Sequence, residues 1–472
     1  MKMNKVFFRT ILCVAFTGTL AVSAVAKSNP LLDEDEQSVF TLQNENQAEP
    51  QKREFEREIF DVDYVKNDGT IDARPVAFYR PKGAEGDLPL VFVPHYPLDE
   101  KSGDFQMCLN NGWACAAPYD FQNEYNGVLG TDNLVFNNAA LHALRHKEGV
   151  DAERIIISGG SAGGYTALML GELQMGAAGV VANSPVTNLY FNFHIHFLKC
   201  DEINRGFDIP ERPILIQGMI SALFRPNNDC FSGDDDPKWE ALSPISMARA
   251  ISSPTVINHF TGDILVPIDQ VTKKYTYDEH EDDLPQDFTA RMGDDYPGNL
   301  SRSFEEMCDP NELSLSVYRA EGKPFLIDMP YAADKLVSIN VYDDGKTGAK
   351  ASHTARVALG GYRSEPFLQE IMAKSLKETE RLIPEKILLM LERYCGESKQ
   401  LPAHVEVDDA IYGSLTLYRQ EIVEELARYA ANHSLKELDE FVQTAIVGSE
   451  NETKYAEAWE TIKSQIQVVN KQ

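Results

Sequence analysis

The chain has 472 residues, 43% of them hydrophobic and 25% charged, and a formal net charge of −29. That length allows roughly two or three domains with a large core, and the composition excludes a disordered, collagenous or membrane-spanning body. So acidic a surface repels phosphate backbones and anionic lipid heads, so no nucleic acid is expected as a partner.

Residues 1–26 form a separate object. Lys2, Lys5 and Arg9 make a basic start, an apolar run follows from Ile11 to Val22, and Ala24-Val25-Ala26 precedes Lys27. This is the layout of a signal peptide, with cleavage expected after Ala26 and a secreted or periplasmic product. The apolar run is shorter than the ~20 residues that span a bilayer, and no later stretch reaches that length, so no membrane association is expected after cleavage. Cys13 leaves with this segment. Cys108, Cys115, Cys200, Cys230, Cys308 and Cys395 remain. An even set in an exported chain suggests disulfides, with Cys108–Cys115 and Cys200–Cys230 suggested only by proximity. No cysteine pair has CxxC spacing and no His/Cys cluster has zinc spacing, so no metal site is expected.

Residues 27–54 are polar and read as a flexible leader. From Phe55 the pattern turns ordered. Phe60–Val65 and Pro75–Tyr79 read as a hairpin with Asn67-Asp68-Gly69 at its turn. Short, continuously apolar runs follow at Leu88–Pro94, Trp113–Ala117, Arg154–Ser158, Gly179–Ala182, Thr255–Phe260 and Val337–Tyr342. Such runs suit strands covered on both faces, and their alternation with helical stretches predicts a mostly parallel α/β sheet. Two insertions break the rhythm: 186–240, expected to form a lid, and 270–335, acidic and irregular. Acidic runs such as Asp234-Asp235-Asp236 and Asp278–Asp283 read as solvated loops. The α/β body is expected to occupy 55–365. Residues 366–472 read as a helical extension, with apolar stripes at Phe367, Leu368, Ile371 and Met372, then at Leu415, Tyr418, Ile422, Leu426 and Tyr429, and last at Tyr455, Trp459, Ile462 and Ile466. Ser434 and Glu437 match a capping box.

The sharpest motif is Ile155-Ile156-Ile157-Ser158-Gly159-Gly160-Ser161-Ala162-Gly163-Gly164-Tyr165. A bare G-x-S-x-G is common. Here it follows an apolar strand and opens a helical run, the setting of a nucleophile elbow, in which a tight turn lifts the serine hydroxyl above the sheet. The spacing fits neither a P-loop nor G-x-G-x-x-G. Ser161 is therefore the expected nucleophile. A serine needs a histidine to take its proton and a carboxylate to fix that histidine's tautomer, in the chain order Ser, Asp, His. Asp263 ends the strand-like run Pro254–Gly262 and is the expected acid, with Asp269 in reserve. His353, in a loop after Val337–Tyr342, is the expected base. His280 sits in an acidic loop, His404 and His433 in the helical tail, and His259 precedes the acid. The oxyanion needs two backbone N–H donors, expected from Ala162 and, in the loop after Leu88–Pro94, from Tyr96, since Pro97 has none.

Gly149-Val150-Asp151, Arg154, Gly159–Tyr165, Trp239–Pro244, Pro254–Asp263 and Val266-Pro267 together resemble the catalytic domain of the prolyl-oligopeptidase-like serine hydrolases, over roughly residues 60–365. The resemblance implies an α/β-hydrolase fold, a Ser161–Asp263–His353 triad and no metal or organic cofactor. The stretch before Phe55 is too short for the β-propeller that peptidases of that family carry. Carboxylic esters are accordingly expected ahead of peptides or amides. A non-catalytic hydrolase-fold binding protein is the reading from a different class. The expected partner is a small-molecule, ester or peptide substrate; no residue pattern specifies an oligomeric state.

Overall fold

A computed structural model describes residues 53–65, 70–120, 131–192, 238–261, 263, 266–272, 298–319, 331–343, 353, 364–395 and 409–469. The expected signal peptide, the Asn67-Asp68-Gly69 turn, most of the expected lid, His280 and His404 lie outside the described residues.

β1 (Phe55–Val65) and β2 (Ile71–Pro81) pair antiparallel from Phe55↔Pro81 to Val65↔Ile71. The expected hairpin is thus present and longer than its apolar runs suggest. Then come β3 (Leu88–Phe92), β4 (Ala114–Pro118), β5 (Val150–Gly160), β6 (Gly179–Asn183), β7 (Thr255–Phe260), β8 (Leu313–Arg319) and β9 (Val337–Asp343). They form one nine-stranded sheet in the order β1-β2-β4-β3-β5-β6-β7-β9-β8. Every pairing from β4 to β8 is parallel. This is an α/β-hydrolase fold. The central runs behave as expected of strands covered on both faces: Ile155, Ile156 and Ile157 are consecutive and each 0% exposed.

β8 corrects the sequence reading, which left 270–335 irregular. Leu313, Leu315 and Val317 alternate with Ser314 and Ser316, and pack from the sheet's edge against the core. An edge strand buries one face, so it shows alternation rather than the continuous apolarity of the central strands.

Three helices of the body matter for the site: α1 (Gly103–Asn110), α2 (Thr131–Arg145) and α3 (Ala162–Leu173). Every residue of α3 is buried, as befits a helix apolar all round. In the tail, α4 (Glu365–Met372) packs with α1 on the sheet: Phe367, Leu368, Ile371 and Met372 share a core with Phe105, Val91, Ile156 and Val256. Next come α5 (Pro384–Cys395), α6 (Asp409–Asn432), α7 (Leu435–Ile446) and α8 (Glu452–Val469). They enclose a second core around Ile387, Leu426, Leu438, Trp459 and Ile462. Ser434 caps α7 by accepting the Glu437 N–H at 3.1 Å.

The tail docks on the C-terminal end of α3 through buried polar contacts. A helix leaves its last carbonyls without internal partners. Lys386 Nζ, 0% exposed, donates to the carbonyls of Gly171, Glu172 and Gln174 at 2.8, 2.6 and 2.8 Å. Arg393 donates to Leu173 O at 2.5 Å. Just beyond, Glu425 accepts the Met175 N–H and pairs with Arg145, and Glu380 accepts the Gly176 N–H and pairs with Arg428.

The cysteines bring another correction. No disulfide joins Cys108 to Cys115 among the described residues, so the suggested bond does not form. Cys108 on α1 and Cys115 on β4 are each buried as small hydrophobic side chains within the core. Cys200 and Cys230 lie outside the described residues. Among the described residues no helix is long and apolar enough to cross a membrane.

Candidate active site

Ser161 links β5 to α3 at φ 57°, ψ −122°. A positive φ costs a non-glycine residue about 1–3 kcal/mol, so the surroundings must enforce it. They do. The Ser161 N–H donates to Asn183 O at 2.8 Å, and Ser161 O accepts the Tyr165 N–H at 3.0 Å. The turn leaves little room for side chains beside it. A Cβ on Gly159 would lie 2.3 Å from Gly163 O, and one on Gly163 would lie 3.2 Å from Pro94 O. This is the elbow that the sequence pattern predicts.

Non-glycine residues at positive φ cluster here. His95 (78°), Ser161 (57°) and Ser184 (43°) follow β3, β5 and β6 at their carboxyl ends. That edge is where open parallel sheets build their sites. Beneath it runs a buried asparagine ladder. Asn258 Nδ2 donates to Asn183 Oδ1 at 2.8 Å, and Asn340 Nδ2 to Asn258 Oδ1 at 3.0 Å, fixing β6, β7 and β9 in register. The three amides are spaced far apart in the chain, so no local pattern announces the ladder.

Asp263 follows β7 and His353 follows β9. The structure brings them together: His353 Nδ1 donates to Asp263 Oδ2 at 2.6 Å. Asp263 is 0% exposed and its Oδ1 accepts the Val266 N–H at 3.1 Å. Burial raises its pKa, but the charge and hydrogen bond of His353, with help from His259 and the Val266 N–H, hold the carboxyl below its ordinary range. Asp263 therefore stays ionised at working pH. The bond puts the proton of neutral His353 on Nδ1 and leaves Nε2 as the basic atom. Nε2 is buried and has no hydrogen-bond partner among the described residues. Asp269, the reserve acid, lies buried in the short turn Ile268–Gln270. His433 stacks on Tyr429 in the tail.

The two residues expected as oxyanion donors are placed differently. Ala162 heads α3, where the first N–H groups have no intrahelical acceptor. Tyr96 requires a correction. Its N–H, expected as the second donor, instead donates to Pro94 O at 3.0 Å across His95, whose φ is 78°. Its phenol hydroxyl, not its backbone, makes the hydrogen bond to Ser161. Burial drives the phenol pKa upward, only partly countered by the Ser161 bond, so the hydroxyl keeps its proton. His95 orients this loop. Its N–H donates to Asn137 Oδ1 at 3.0 Å, its Nδ1 meets Asn133 Nδ2 at 2.7 Å, and its ring meets Tyr96 edge to face at 4.3 Å. Burial lowers its pKa to about 3, so the imidazole is neutral. Asn133 and Asn137 sit one turn apart on α2, a spacing that sequence could have flagged only with the loop's position known.

Ser161, Asp263, His353, Ala162 and Tyr96 thus gather on the carboxyl edge of an α/β-hydrolase fold. No family model and no curated protein match the chain. Solved structures do resemble it. Acylaminoacyl peptidase of Pyrococcus horikoshii is 16% identical with a TM-score of 0.38, over 71% of this chain and 44% of that one. A puromycin hydrolase is 15% identical with a TM-score of 0.35, over 66% and 39%. Prolyl oligopeptidase B from Galerina marginata is 15% identical with a TM-score of 0.36, over 67% and 37%. The chain spans less than half the length of these proteins.

Proposed function

We propose that this protein is a serine hydrolase that cleaves carboxylic acyl compounds through a covalent acyl-enzyme. The observation that carries the reading is the 2.6 Å bond from a fully buried Asp263 to His353, on the same sheet edge as a serine held at φ 57°. When substrate binds, the Ser161 hydroxyl turns from Tyr96 to His353 Nε2, gives up its proton there and attacks the carbonyl carbon. The carbonyl oxygen, now negative, takes hydrogen bonds from the Ala162 N–H and the freed Tyr96 hydroxyl. His353, stabilised as imidazolium by Asp263, then protonates the leaving group. Water repeats the cycle with His353 as base and releases the acid and Ser161. Every group in this scheme is a side chain or backbone amide, so no cofactor is invoked.

Labelling with a fluorophosphonate tests the chemistry: wild type should be modified at Ser161, and Ser161→Ala and His353→Ala should not. Failure to label folded wild type would favour a binding protein on the same fold. The sequence reading put esters ahead of amides because of the short leader, which says nothing about the site. Ester and amide carbonyls pass through the same oxyanion, so this machinery serves both. Peptides and aminoacyl anilides therefore belong beside short acyl esters in one substrate panel. Turnover of anilides with none of esters would displace the ester reading.

We further propose export, on the basic, apolar and small-residue sequence of residues 1–26. Recovery of a chain beginning at Lys27 from outside the cytoplasm supports it, and a cytoplasmic chain that keeps Met1 refutes it.

A further inference from the structure

Away from Ser161, three side chains of metal-ligating type converge where the body meets the tail. His142 lies in the last turn of α2 and His146 just beyond it; Glu424 faces both from α6. Glu424 Oε2 is 3.5 Å from His142 Nε2 and 3.2 Å from His146 Nε2. The three ligand atoms lie within 4.8 Å of one another. Around a tetrahedral zinc ion with bonds of about 2.0–2.2 Å, ligand atoms sit about 3.3–3.6 Å apart. Two edges of that triangle are already close to this length. Rotation of His146, whose side chain is 60% exposed, closes the third.

Further observations separate this cluster from an ordinary ion pair. His142 Nε2 is buried and has no hydrogen-bond partner among the described residues, although Oε2 is nearby. The carboxylate therefore does not satisfy it. Glu424 Oε1 accepts from Gln420 Nε2 at 2.8 Å, which turns Oε2 to the imidazoles. Outer partners of this kind orient metal-ligating carboxylates. The adjacent glutamates are engaged elsewhere: Glu425 with Arg145 and the Met175 N–H, Glu421 with Asn138 and Arg145.

We propose that His142, His146 and Glu424 form a site for a divalent first-row transition ion of the zinc type, which ties α2 to α6. Two imidazoles and one carboxylate suit such an ion and not magnesium, which demands oxygen ligands. Three protein ligands leave a fourth position for water. The site revises the sequence expectation that no metal site is present. It is independent of the proposed hydrolase activity, because neither Ser161 nor its partners take part.

The test is titration of the metal-stripped full chain with Zn²⁺ by calorimetry and with Co²⁺ by visible absorption. Wild type should bind one ion at this site with micromolar or tighter affinity, and its melting midpoint should rise with Zn²⁺ but not with Mg²⁺. His146→Ala and Glu424→Gln should weaken binding at least tenfold and abolish the thermal shift, while Gln420→Ala weakens binding by about tenfold. His146 is exposed and Glu424→Gln is isosteric, so both variants should fold, which circular dichroism checks. Unchanged stoichiometry and affinity in His146→Ala and Glu424→Gln would place the ion elsewhere on this acidic surface and overturn the proposal. So would the absence of saturable binding in the wild type.

Discussion

The two ends of α3 are built to opposite rules. At its N-terminus Ser161 is held at positive φ, and the Tyr96 hydroxyl reaches it from a loop that itself has a residue at positive φ. At its C-terminus Lys386 and Arg393 satisfy the carbonyls of Gly171, Glu172, Gln174 and Leu173. One helix therefore joins an end kept open for chemistry to an end sealed by the tail. The difference is a division of labour: backbone strain is held at the proposed catalytic end, and the tail supplies fixed partners at the other.

The comparison can be broken first at the open end. Ser161→Ala or His353→Ala should lower kcat on the order of 10⁶-fold, and Asp263→Asn on the order of 10⁴-fold, read by turnover of the best panel substrate. A loss under about 100-fold for Ser161→Ala would remove it as nucleophile. Tyr96→Phe should cost about 10²–10³ in kcat with little change in KM, because it deletes a transition-state donor. If the expected backbone N–H were the donor instead, Tyr96→Phe would be nearly silent.

At the sealed end the expected signature is reversed. Lys386→Met should destabilise the fold by about 3 kcal/mol or more in urea unfolding, since it strands buried carbonyls. The activity per folded molecule should stay near wild type. A large kcat loss at full stability would show that the two ends are not separable.

A pH effect sharpens the open end further. His95 has a folded pKa of about 3 against an ordinary value of 6.5. The unfolded chain therefore binds a proton that the folded one refuses. The stability this confers is present above pH 6.5 and is lost as pH falls toward 3. Between pH 7 and 5 this amounts to about 2 kcal/mol, which His95→Asn, tolerant of positive φ, should not lose. The smallest expected effect on stability is that of Ser161→Gly, which relieves the positive φ and should stabilise by about 1 kcal/mol, although it removes the hydroxyl and with it turnover.

Much of the fold and part of the site were readable without coordinates. The strands of the central sheet announced themselves because a strand covered on both faces must be apolar throughout, a property of consecutive residues. Ser161 was legible for the same reason: the elbow's steric demands fall on Gly159 and Gly163, two positions either side. Asp263 and His353 followed from chain order and strand ends. What lay beyond reach joined distant positions. The edge strand β8 needed its neighbour β9 to be recognised. Cys108 and Cys115 are close in sequence, yet they occupy different elements and form no disulfide with each other. The tail's stripes showed helices, but not that Lys386 would meet the end of α3. His142 and His146 stand four residues apart in the chain, and only packing against α6 brings Glu424 to both. Tyr96 could be placed in the loop after β3 by sequence, while only the folded chain shows its N–H on Pro94 O and its hydroxyl on Ser161. Local sterics and burial are written into neighbouring residues; which polar groups meet across the fold is decided only when the chain has closed around them.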